Sequence, residues 1–171
     1  RIDNEITDRM VAHIESKGIN VEIAAPGNHR TNPAERAIQT LKHHMILIFS
    51  GMDPDFPKDQ WDLLMPQIIL TLNLQRESRY QPQLSAYAQI KGQFDFNATP
   101  LAPLGCAVIV HDRVKERGSW ADHGPAGFYV GPALEHYRNY TCYIPETRST
   151  RVSDTVEFFP TCCDVPMLTS T

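Results

Sequence analysis

The sequence has little of what would place it quickly in a class. Its longest apolar stretch, Met45 to Phe49, is short and bounded by histidines and Gly51, far below the roughly eighteen residues that a membrane-spanning helix needs. A membrane protein is therefore not expected. The four cysteines, Cys106, Cys142, Cys162 and Cys163, form no CxxC pair and stand at no zinc-finger spacing from a histidine. That argues against a structural zinc site and favours reduced thiols in an intracellular compartment, nucleus or cytoplasm. Positive charge is also scarce: 16 Lys and Arg face 20 Asp and Glu, a net charge of −4. Because phosphate neutralisation by Lys and Arg supplies most non-specific nucleic-acid affinity, any DNA contact must come from a local patch. There is no methionine at position 1 and no signal-peptide pattern, so the N-terminus reads as a cut edge. A Gly-x-Ser-x-Gly elbow is missing and no cysteine has a recognisable partner, which leaves a Ser or Cys hydrolase without support.

What is present is an ordinary globular composition, 42% hydrophobic and 21% charged over 171 residues, enough for one domain or two small ones. Met10, Val11 and Ile14 recur at helical spacing between a capping Thr7 or Asp8 and the terminator Gly18. Ile19, Val21 and Ile23 then alternate with Asn20 and Glu22, the period of a half-buried strand closed by Pro26 and Gly27. A second helix is expected to open with Asn32 as N-cap and Pro33 at its first position, carrying the stripe Ala34, Ile38, Leu41, Met45 and Ile48. A third apolar pattern, Trp61, Leu64, Ile68 and Leu72, predicts a helix from about Pro57 to Ser78 with a kink at Pro66. Ser85 caps a short fourth helix that ends at Gly92.

Beyond about Thr99 the texture changes to short β-type runs, Ala107 to His111, Gly127 to Gly131, Tyr137 to Ile144 and Arg151 to Phe159, separated by turn signals at close spacing. The expected architecture is a helix-rich α/β region over 1–98, a small all-β barrel over 99–160 and a flexible tail over 161–171.

Two carboxylates stand out. Asp3 ends an expected strand in Ile2-Asp3-Asn4, and Glu35 sits on the first turn of a helix in Asn32-Pro33-Ala34-Glu35-Arg36. The 31 residues between them are enough to cross back, add a neighbouring strand and start a helix facing the tip of the first. Two carboxylates so placed suit a hard cation such as Mg²⁺ or Mn²⁺, and paired ions of this type clamp the attacking and leaving oxygens of a phosphoryl displacement. A bland alternative stands beside it: Glu35 lies three residues after Asn32, and taken alone it more commonly completes a capping box than serves as an active-site acid.

The run from Arg1 to Met45, with Ile2-Asp3-Asn4, Gly18-Ile19, Ala25-Pro26 and Asn32-Pro33-Ala34-Glu35-Arg36, resembles the second half of the RNase H-like catalytic core of copia-like, long-terminal-repeat retrotransposon integrases. Thr71-Leu72-Asn73 and Gln81-Pro82 resemble that family's post-core segments. Gly127-Phe128-Tyr129-Val130-Gly131, Tyr137-Arg138-Asn139-Tyr140 and Ser153-Asp154-Thr155-Val156-Glu157-Phe158-Phe159 are similar to the small SH3-like β-barrel that follows such cores. The resemblance covers nearly the whole chain through motifs that are weak singly and more specific in their order. It implies that Asp3 and Glu35 are the second and third catalytic carboxylates and metal ligands, that Mg²⁺ or Mn²⁺ is the cofactor, and that DNA is the partner of a homo-oligomer. It also implies phosphate contacts for His29, Arg30, Arg36, Lys42 and His43, for which a solvated surface is the equal alternative. Departures are clear as well. The family's first catalytic aspartate and zinc module are absent, Glu5-Ile6-Thr7 replaces the usual glycine-rich turn, and the Asp-to-Glu spacing is a few residues short. The resemblance thus implies a polynucleotidyl transferase ancestor and a chain that is inactive alone, or a non-catalytic protein- or nucleic-acid-binding module derived from a transposon.

Overall fold

The computed structural model describes residues 6–22, 33–112 and 123–160. They fall in two compact units, one within Arg1–His44 and one within Met45–Thr171. In the first, helix α1 (Asp8–Glu15) starts after an extended Thr7 and ends where Gly18 takes a φ of 74° and its N–H bonds the Glu15 carbonyl at 2.9 Å. The strand expected at Ile19 to Ile23 does not form over its described part: residues 19–22 belong to no sheet, and Ile19 is more than half exposed. Alternation supplies a strand only where a neighbouring strand offers its ladder, and none is adjacent here among the described residues. Helix α2 (Pro33–Ser50) begins with the expected proline and runs 18 residues. None of its side chains is buried, so the stripe from Ala34 to Ile48 is amphipathic in sequence without lining a core.

The second unit contains the core. Lys58–Leu64 winds as a 3₁₀ helix and passes into helix α3 (Met65–Gln75). Pro66 does not kink a long helix, as the sequence suggested; it occupies the first turn of α3, where a missing N–H costs nothing. Leu64 and Ile68 are fully buried, while Trp61 remains 46% exposed. Helix α4 (Ala86–Lys91) is capped as expected, with the Ser85 hydroxyl accepting from the Ala88 N–H at 3.0 Å, and it ends at Gly92.

Five strands follow: β1 (Ala107–Val110), β2 (Ala126–Pro132), β3 (Tyr140–Ile144), β4 (Ser149–Ser153) and β5 (Val156–Phe159). They form one antiparallel sheet in the order β4-β3-β2-β1-β5. The run read as a single strand from Arg151 to Phe159 is divided between β4 and β5, which lie at opposite edges and are joined by Asp154 and Thr155 alone. Three Cα steps reach at most about 11 Å, so the Ser153 end of β4 and the Val156 end of β5 lie close together although the two strands do not pair. The corner is pinned by the Ser153 hydroxyl, which accepts from the Thr155 N–H, and by the Thr155 carbonyl, which accepts from the His111 N–H at 3.1 Å. Val108 and Val110 of β1 point inward and Ala107 and Ile109 outward, the period-two pattern of a sheet with one covered face.

Helix and sheet are tied by a buried polar link. Gln67, 4% exposed, donates to the Ala102 carbonyl at 2.9 Å and accepts from the hydroxyl of the fully buried Tyr129 at 2.7 Å. Phe56 packs edge-on against Phe128 with ring centroids 5.5 Å apart. Gly105, at a φ of 71°, brings the loop before β1 so close to Met52 that a Cβ there would meet its side chain at 2.7 Å. The boundary expected near Thr99 falls inside this unit, and the Gln67 contacts cross it.

Candidate functional site

Of the residues singled out by sequence, Glu35, Arg36, Lys42 and His43 are described, and all four lie on α2. Asp3, His29 and Arg30 lie outside the described residues, and so does the juxtaposition of Asp3 with Glu35. Glu35 occupies the first turn of α2, where the helix dipole favours a negative charge, and its side chain is partly buried. Lys42 stands seven residues further along the same stripe; Arg36 and His43 are likewise seven apart on the adjoining one. Arg36, Lys42 and His43 are exposed, so the polar side of α2 offers two cations and an imidazole to solvent beside one carboxylate. Among the described residues no group of three or more His, Cys, Asp or Glu side chains is placed to hold a metal ion. Glu35 is the one described member of the expected pair, and a single carboxylate does not by itself hold a hard cation.

A second constellation, absent from the sequence-based expectations, lies at one end of the sheet. A cleft of about 560 Å³ is lined by Ile109, His111, His123, Pro125, Glu146 and Glu157 among others. Strand register builds it: Ile109 of β1 faces Ala126 of β2 on one side and Glu157 of β5 on the other, so the three share the outer face of the sheet. His123 arrives through the tight passage of Gly124, where a Cβ would lie 1.9 Å from the Val110 carbonyl oxygen, and the Asp112 N–H bonds the His123 carbonyl at 2.9 Å. The two imidazoles sit with ring centroids 5.4 Å apart. His111 Nε2 is shut off from solvent, makes no hydrogen bond and stands 3.8 Å from a Glu157 carboxylate oxygen, an ion pair only when the ring is protonated. Linear spacing could not reveal this group, because its members come from four separate segments and meet only through the register of the strands.

Among the described residues, Cys106, Cys142 and Tyr129 lie in the core. Cys106 and Cys142 are free and buried, and desolvation pushes their thiols up to about 11 and about 12. Burial likewise drives the Tyr129 hydroxyl well above its ordinary range. No thiolate nucleophile is available at neutral pH on these residues. Tyr129, Tyr140 and Phe158 form a mutually edge-on cluster, with Tyr129 in the core, whereas Tyr137 is 69% exposed. No helix among the described residues is long and apolar enough to cross a membrane. No protein-family model matches the chain, and no curated protein matches it.

Proposed function

We propose that the chain is part of a retroelement-type integrase, a DNA-binding polypeptide whose intact ancestor joined DNA ends by attack of a 3′-hydroxyl on a phosphodiester. One observation carries the reading: Pro33 opens a long helix with Glu35 on its first turn and Arg36, Lys42 and His43 exposed along the same side. A carboxylate at that place is suited to a divalent ion, and the cations beyond it are suited to the phosphates flanking a reacting bond. Asp3 would be the second ligand, and His29 and Arg30 would extend the phosphate contacts. Mg²⁺ or Mn²⁺ held by Asp3 and Glu35 would supply Lewis-acid stabilisation of the phosphodiester. The chain's own groups bind and orient the DNA backbone. The five-stranded sheet, with its two-residue corner between β4 and β5, is consistent with an SH3-like small barrel as the accessory domain of such an enzyme. Buried reduced thiols agree with action in the nucleus or cytoplasm, and DNA with further copies of the chain are the expected partners.

The test is a pair of titrations on the full chain. Mn²⁺ should raise the melting temperature, and the rise should vanish in Asp3→Asn and in Glu35→Gln. Duplex DNA should bind more weakly to the double variant Arg36→Ala, Lys42→Ala, with a shallower salt dependence. A metal response that survives both carboxylate changes, together with DNA binding that ignores the helix cations, would overturn the reading. Plasmid nicking is expected to be absent, because two carboxylates orient a metal poorly without a third. A second reading, a non-catalytic binding module, is favoured by the packing of α3 on the sheet through Gln67 and Tyr129, which involves neither Glu35 nor its neighbours on α2.

A further inference from the structure

We propose that the cleft at the end of the sheet, between His111, His123, Glu146 and Glu157, receives the guanidinium group of an arginine presented by a partner polypeptide. Charge is the first argument. Two carboxylates and two imidazoles line the space, and no described Lys or Arg does. Arg151, on β4, is engaged elsewhere, at 2.7 Å by Asp112. A positive group entering here meets acid from two directions, Glu157 on β5 and Glu146 in the turn between β3 and β4.

Shape and hydration choose the cation. The floor is apolar, Ile109, Pro125 and Ala126, and the walls include two flat rings tilted by 56°. An ammonium ion is a compact, strongly hydrated charge that gains less from such surfaces. Guanidinium is planar and weakly hydrated, stacks on ring faces and offers paired N–H donors to a carboxylate. A divalent metal is the less suited occupant, because no three donors converge among the described residues. The volume, about 560 Å³, exceeds what one side chain fills and leaves room for the flanking backbone of a peptide.

The cleft also contains its own competitor. His111 Nε2 faces Glu157 at 3.8 Å without a hydrogen bond. An imidazolium at this position would be an internal cation beside the carboxylate that the arginine needs. Among the described residues, Glu157, Glu146, His123 and the Asp112–Arg151 pair are the charged or titratable groups around it, and Glu157 stands within ion-pair reach of His111.

The test uses the full chain and a short acetylated peptide with one arginine among glycines, with the citrulline peptide as the uncharged isostere. Side-chain resonances of His111 and His123 are followed by NMR during titration. Saturable shifts are expected with the arginine peptide only. Glu157→Gln, an exposed change that should leave the melting temperature unaltered, should weaken binding about tenfold, and Glu146→Gln by less. Equal shifts with citrulline, no saturation, or indifference to Glu157→Gln would each refute the proposal. Zn²⁺ shifting the same resonances while the peptide does not would assign the cleft to a metal instead. None of these outcomes depends on Asp3 or Glu35, so the cleft can fail while the integrase reading stands, and the reverse.

Discussion

Tyr129 lies in the core with its hydroxyl 2.7 Å from Gln67, so the two residues carry a polar contact through apolar surroundings. Such a bond adds little while it is made and costs much when one partner is removed. Tyr129→Phe should lower stability by about 1–3 kcal/mol in urea unfolding, since it leaves the Gln67 oxygen buried and unpaired. Adding Gln67→Leu should cost less in the Tyr129→Phe background than in the unaltered chain, and strict additivity would refute the coupling. The thiols give a second residue-level expectation. Burial raises Cys106 from 9.0 to about 11 and Cys142 from 9.0 to about 12, so the unfolded state loses these protons first. Their contribution to stability is whole below pH 9.0 and is lost as the pH rises toward about 11 to 12. Near neutral pH a thiol reagent should label either residue only as fast as the protein opens. Neither Gln67 nor the thiols could be ranked from sequence, because a glutamine on a helix reads as surface until its partner 62 positions away is known.

At the scale of elements, the turns and caps explain both what was legible and what was not. Ser85, Gly92 and Gly18 do what their chemistry announces, since capping depends on three or four adjacent residues. Ser85→Ala should cost about 1 kcal/mol, seen as a lower melting temperature; an unchanged value would mean that α4 is held by packing alone. Gly124 has a stricter role, because a side chain there would run into the Val110 carbonyl. Gly124→Ala should destabilise by about 3 kcal/mol and broaden the His111 and His123 resonances, since both β1 and the cleft wall must yield. By contrast, the alternation at Ile19 to Glu22 produced no strand, and the single run from Arg151 to Phe159 became two. Periodicity describes which faces are apolar. It does not say which neighbour supplies the ladder or where a strand changes partners.

For the molecule as a whole, the helices and the sheet of the second unit share one core, with Leu64 and Ile68 beside Val108, Val110 and Tyr129 among its most buried side chains. A fragment that starts near Met52 should keep a single cooperative urea transition with native far-UV signal. One that starts at Thr99 lacks the apolar cover from α3 and should be poorly folded; a stable, cooperative 99–160 fragment would instead support an autonomous β-domain. Composition and turn spacing indicated a β-rich second half because such signals are local. The candidate catalytic pair rested on a resemblance rather than on spacing alone, and the His–Glu cleft was invisible because strand register, not sequence distance, gathers it.

The corner at Asp154 and Thr155 has a consequence for the order of events during synthesis. β1 receives its second partner only from the last described strand, almost fifty residues downstream. A growing chain therefore holds an open hydrogen-bonding edge on β1 until Phe159 has left the ribosome. Premature termination between Ile144 and Val156 yields a sheet that looks nearly finished yet stays adhesive along that edge, so shortened products should clump rather than merely melt earlier.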